Sequence, residues 1–188
     1  PVKSIAELIT HLKANPGKYF YGSLGVGSGQ HLVTELFKTR TGTDMVHVPF
    51  KQGVQAQSAL LSRQVQVMFQ GPGIRIFFKT GKLRGLATTS ARRASALPEM
   101  PTLAETVLPG FDVSTWFGLS VPSGVPKSII DRLNREMVAI LRSPSMLDKF
   151  TKFGLDAIPS TPEEMNQRIR VEYPLWTKVM RSAGIQPE

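Results

Sequence analysis

The chain has 188 residues, 41% hydrophobic and 20% charged, with a formal net charge of +9 and no cysteine. That length holds one sizeable core or two small lobes. The missing cysteines exclude disulfides, thiol catalysis and Cys-ligated metals, and no run approaches the ~18 uncharged apolar residues of a membrane span.

A basic balance favours anionic partners. The Lys and Arg are scattered, however, with the densest spots at residues 38–40, 82–84 and 92–93. This is the pattern of solvated surface rather than of a nucleic-acid face, so no nucleic-acid partner is expected.

Ser4 and Glu7 form a capping-box pattern, and Ile5, Leu8, Ile9 and Leu12 recur on one helical face. Asn15-Pro16-Gly17 ends that helix. Residues 18–23 read as a short strand. The stretch YGSLGVGSGQHL follows, Tyr21 to Leu32, and opens a helix that runs to about Thr41. Leu32, Val33, Leu36 and Phe37 face inward there, and Gly42 is its stop.

Residues 45–50 predict a strand with Pro49 near its end. Residues 55–63 predict a helix, residues 65–69 (VQVMF) a buried strand, residues 73–80 a short helix and residues 83–88 a strand. Strands alternating with helices imply a parallel α/β sheet with right-handed crossovers.

The pattern changes after Ser90. Thr102 and Glu105 form a second capping box, on a short helix ended by Pro109-Gly110. Residues 111–121 are an extended apolar run. Two long helices are expected beyond it. The first starts at Pro126 and carries Ile130, Leu133, Met137 and Leu141 on one face. The second starts at the capping box of Thr161 and Glu164 and carries Met165, Ile169, Trp176 and Val179. Pro174 should bend it. Residues 1–113 thus read as a complete small α/β lobe. Residues 114–188 read as a crossover strand and helices whose apolar face needs a cover.

The glycine loop is the richest local feature. Strand–loop–helix geometry lets backbone approach a ligand, and a helix start supplies free N–H donors and partial positive charge. An anion site and an ordinary tight turn both fit Gly25, Gly27 and Gly29. The loop lacks the GK[ST] ending of a nucleotide P-loop and the dinucleotide spacing. A nucleophile–base pair of Ser28 and His31 lacks an orienting group and an oxyanion hole, so His31 reads as packing or a loop hydrogen bond. His11, His31 and His47 show no metal-ligand spacing. No cofactor, metal or catalytic residue is expected.

Taken in order, YGSLGVGSGQHLVTELFK, MVHVPFK, VQVMF, GKLRGLATTSARR, ALPEMPTLAE, PGFDVSTWFGLSVPSGVP and STPEEMNQRIRVEYPLWTKVMRSAGI resemble the substrate-binding proteins of tripartite tricarboxylate transporters, the Bug or TctC-like receptors. The resemblance runs over the whole chain. It implies a type II periplasmic-binding-protein, or Venus-flytrap, fold: one complete lobe in residues 1–113, and the crossover and C-terminal helices of the other in residues 114–188.

It also implies a periplasmic location, a carboxylate-containing organic acid between the lobes, and membrane transporter subunits as partners of a full-length relative. Family members carry a further segment before PVKSIAELI, with a signal peptide and the rest of the first lobe. Self-association through uncovered helices is therefore expected here.

With the resemblance, the anion reading is favoured. Ser23, Gly25, Gly27 and Ser28 are expected to hold one carboxylate, with Lys51 and Gln70 facing the cleft. Trp116 is expected to pack at the hinge. The alternative is the ligand-sensing domain of a LysR-like transcription regulator, which would need a helix-turn-helix that these residues lack.

Overall fold

Two short strands pair in parallel to start the sheet. Strand β1 is Phe20–Ser23 and β2 is Val46–Pro49, with Phe20 opposite Val46 and Ser23 opposite Pro49. The computed structural model describes residues 2–186. Pro49 has no N–H to add to the ladder, and the next donor, Phe50 N–H, reaches Ser23 O at 3.0 Å.

On the other edge of β1 the VQVMF run lies parallel but makes only one bridge, Tyr21 to Val67. Gln66 N–H donates to Phe20 O at 2.9 Å and Gly22 N–H to Val67 O at 3.1 Å. The strand expected at residues 65–69 is thus reduced to a bridge. The one at residues 83–88 survives only as the pairing of Thr88 with Thr102. A ladder extends only where a neighbour continues it, and the four-residue β1 offers no more edge.

The helices come closer to their sequence signals. Helix α1, Ile5–Ala14, is capped by Ser4 Oγ, which accepts Glu7 N–H at 3.2 Å. Glu7 returns its carboxylate to Lys3 N–H, not to Ser4, so the first box is half built. Helix α2, Gly29–Thr41, runs from Ser28 to a left-handed Gly42. Helix α3 is Gly53–Leu61. The helix expected at residues 73–80 splits into a 3-10 turn, Pro72–Arg75, and one turn of α4, Ile76–Lys79. Helix α5, Leu103–Thr106, carries a complete capping box.

Three helices follow, not two: α6, Lys127–Arg142; α7, Pro144–Phe153; and α8, Pro162–Ser182. The missed helix begins at Ser143-Pro144, a capping residue followed by proline at the first helical position. Helix α8 continues through Pro174.

The core sits between α1, α2 and the strands. Leu12, Tyr21, Phe37, Met45 and Leu103 are almost fully buried there, and Val179 joins them from α8. Neither α6 nor α7 contains a buried residue. No helix among the described residues is long and apolar enough to cross a membrane.

Candidate functional site

Between β1 and α2 the chain turns within residues 24–28. Gly25 and Gly27 sit at φ +113° and +76°, where a side chain would be strained. Their amides do not face outward. Gly25 N–H donates to Ser23 Oγ at 3.1 Å, Gly27 N–H to His31 Nδ1 at 3.1 Å, and Ser28 N–H to Gly25 O at 3.3 Å.

Ser28 Oγ donates to Gly25 O at 2.8 Å and accepts His31 N–H at 3.3 Å, which makes it the cap of α2. An N-cap side chain satisfies the third amide of a helix and leaves the first two open. Those are Gly29 and Gln30, for which no hydrogen-bond acceptor is found among the described residues.

Beneath the loop lies a stack of rings. His31 and His47 stack at 3.9 Å, and Tyr21 stacks on His47 at 4.9 Å. Tyr21 donates its hydroxyl to Glu35 at 2.5 Å. Burial, then the Glu35 hydrogen bond and charge, push the Tyr21 phenol far up. Burial holds both imidazoles below the usual histidine range. His47 is pushed down to about 4, with the neighbouring His31 as the second cause.

Ser23 Oγ lies 2.6 Å from His47 Nε2, a nucleophile–base distance. Ser23 is 0% exposed, however, so no substrate reaches it. Ser28 and His31 do not pair through the imidazole at all, since His31 Nδ1 is taken by Gly27.

The α2 start opens on a concavity of about 2840 Å³. Small-molecule pockets measure roughly 300–1,000 Å³, so this is a broad groove, bordered also by α1, the crossover, α6 and α8, rather than a ligand-shaped cavity. Leu24, Ser28, Gly29, Gln30, Gln70 and Thr115 line it around the α2 start. Gln30 Nε2 donates to Gln70 Oε1 at 3.2 Å.

The crossover is pinned beside it. Trp116 Nε1 donates to Glu172 at 3.0 Å, and Arg168 donates to Glu172 at 2.7 Å and to Ser114 Oγ at 3.3 Å. The Arg168 guanidinium also lies 5.3 Å from the Trp116 ring centroid. Burial works to raise the Glu172 pKa, but the Trp116 and Arg168 hydrogen bonds outweigh it and hold the carboxyl low.

The expected site residues therefore separate. Ser28 and Gln70 line the groove. Ser23, Gly25 and Gly27 shape the loop from inside, with their polar groups turned inward. Lys51 is exposed on the loop before α3 and lies outside the groove wall. Gly29, Gln30 and Thr115 line the groove beside Ser28 and Gln70 without having been among the expected ligand contacts. The first two were legible, because a serine cap at Ser28 dictates which amides stay free. Thr115 was not, since only the fold brings the crossover to α2.

The profile of the Tripartite tricarboxylate transporter family receptor matches residues 1–185. Protein BugT of Bordetella pertussis is 34% identical over 182 residues, 96% of this chain and 56% of its own. An R. palustris protein solved with adipate superposes with a TM-score of 0.86 at 35% identity, over 100% of this chain and 63% of its own. The periplasmic binding protein BugD superposes at 0.82 with 27% identity, over 100% of this chain and 64% of its own. The fold is thus the α/β fold of periplasmic binding proteins, and the chain spans about half the length of the curated relatives it matches. The regulator alternative gains no support from these matches.

Proposed function

The chain belongs to the tripartite tricarboxylate transporter family of receptors, and from that premise we propose that the start of α2 holds one carboxylate of an organic acid, as one wall of an extracytoplasmic solute receptor. The observation that carries this reading is the pair of unpartnered amides at Gly29 and Gln30, two residues that line the groove. Two parallel N–H donors and the helix dipole suit a carboxylate without any arginine. Ser28 sets their direction as the cap, and the Gln30–Gln70 pair borders the ligand. The contacts expected at Gly25 and Gly27 move one step along the chain, to the residues whose amides are free.

The same reading assigns binding rather than catalysis, a periplasmic location, and membrane transporter subunits as partners of the whole receptor. In a protein of the relatives' full length, further chain would face this wall and close on the ligand. Without such a cover, the exposed apolar faces of α6 to α8 would favour self-association.

Adipate titrated into the ¹⁵N-labelled chain tests the proposal. The Gly29 and Gln30 amide signals should shift first. A charge-assisted hydrogen bond contributes about 1.5–3 kcal/mol. Gly29→Val, which puts a branched side chain over the amide, should therefore weaken binding about tenfold or more. Shifts confined to other regions, or unchanged affinity in the Val variant, would end this assignment.

A further inference from the structure

The ring stack under the loop is unused by any ligand contact, yet both glycine amides withheld from the groove lead to it. Gly27 N–H ends directly on His31 Nδ1 at 3.1 Å. Gly25 N–H ends on Ser23 Oγ, which lies 2.6 Å from His47 Nε2. The two imidazoles are 3.9 Å apart with their planes 10° from parallel.

Only an uncharged His31 ring supports the Gly27 contact. His31 Nδ1 accepts from an amide, so a proton there would set N–H against N–H. Ser23 has one hydroxyl hydrogen to give. Two acceptors lie within its reach, Gly25 O at 3.0 Å and His47 Nε2 at 2.6 Å.

The charged groups around the stack come from α2 and from its connection to β2. Lys38 on α2 lies 5.6 Å from the Tyr21 ring centroid and disfavours a further cation. Glu35 on α2 would favour one, but it is bonded to Tyr21 at 2.5 Å and to Lys38 at 2.8 Å. Asp44 faces Lys38 at 3.8 Å. Burial of both rings weighs against charge.

We propose that His31 is the positioning residue of the anion site: its neutral imidazole, braced by His47, turns the Gly27 amide inward and so holds the Ser28 cap that leaves Gly29 and Gln30 open. The ligand in this proposal rests on the carboxylate reading above, while the loop geometry does not. A consequence is that acid unmakes the site. An imidazolium under the loop also attracts an anion, but through intervening backbone, whereas the bond it loses lies in the loop itself.

Two variants separate the parts. His31→Asn keeps an acceptor and cannot titrate. His31→Phe keeps a stacked ring and has no acceptor. Without ligand, Gly27 amide exchange should stay slow in the parent and the Asn variant and rise at least tenfold in the Phe variant. With adipate between pH 7.5 and 4.5, the parent should lose about tenfold more affinity than His31→Asn, whose decline reports only the ligand's own titration.

Equal Gly27 protection in the parent and the Phe variant, or identical pH profiles for the parent and the Asn variant, would overturn the proposal. If the Phe variant fails to fold, the parent-against-Asn comparison decides it. If adipate moves no amide at all, the carboxylate reading falls, and the exchange rates decide the positioning role alone.

Discussion

Residues 114–186 carry the more sharply amphipathic helices, yet bury far less of them than residues 2–113 do. Every buried hydrophobic residue except Val179 and Ile185 lies in the first region. In the second, α6 presents Ile129, Leu133, Met137 and Ile140 at helical spacing, and all four are exposed. Phe117 in the crossover is 85% exposed. An amphipathic stripe specifies which face seeks a partner, not that one is present. Polar networks differ in the same sense. The first region ties loop, strands and helix together through Ser23, His31, His47, Tyr21 and Glu35. Much of the second relies on exposed i,i+4 ion pairs such as Lys127–Asp131 and Lys152–Asp148, which contribute little.

The contrast is broken most directly by matched truncations. Phe37 is 1% exposed and meets Phe69 edge-on at 5.8 Å. Phe37→Ala should cost about 3–5 kcal/mol in urea unfolding. Leu133→Ala on α6 should cost under about 1 kcal/mol, because its side chain already meets water. Equal losses would show that the second region is covered after all.

Association is the next largest effect. Replacing Phe117 and Ile129 with Glu should shift light scattering towards the monomer and remove binding of an apolar dye, with little change in unfolding midpoint. An unchanged molecular mass would show that these faces do not mediate association.

Acid should act on the first region. A histidine held neutral in the fold, with its pKa below the unfolded value, contributes stability that is fully present above about pH 6.5. For His47 that contribution is lost as pH falls towards about 4. The urea midpoint should decline over that window and decline less in His47→Asn. Parallel curves for the two proteins would clear the stack of this role.

The smallest effects come from one motif used twice. Thr102 and Thr161 both close complete capping boxes. Thr102 is fully buried and Thr161 is exposed. Thr102→Ala should cost about 1–2 kcal/mol and Thr161→Ala nearer 0.5 kcal/mol. Reversed costs would contradict the burial contrast.

Much of the helical frame was legible because its signals are local. Ser28 and Gly42 bracket α2, and Thr102 and Thr161 open α5 and α8, as their residue types require. Helix α7 carried the same signature and could have been read from Ser143-Pro144. The strands at residues 65–69 and 83–88 were overstated, because strand formation depends on a neighbour that the run itself does not encode.

At the site, the glycine loop and its helix start stood out in the residues. The direction of each amide did not. Ser23, Gly25 and Gly27 looked like ligand contacts, and their polar groups proved to be taken by the chain.

The sequence by itself determined the caps and stops of α1, α2, α5 and α8, that strands alternate with helices in an α/β chain, and that a glycine turn precedes α2. Those outcomes are settled by hydrogen bonds and torsions within a few residues. Only the tertiary structure decided which loop amides stay free, that Thr115 reaches the α2 start, and that α6 and α7 go uncovered. Each of these turns on the register of β1 against β2 and on how distant helices dock, which no short window of residues contains.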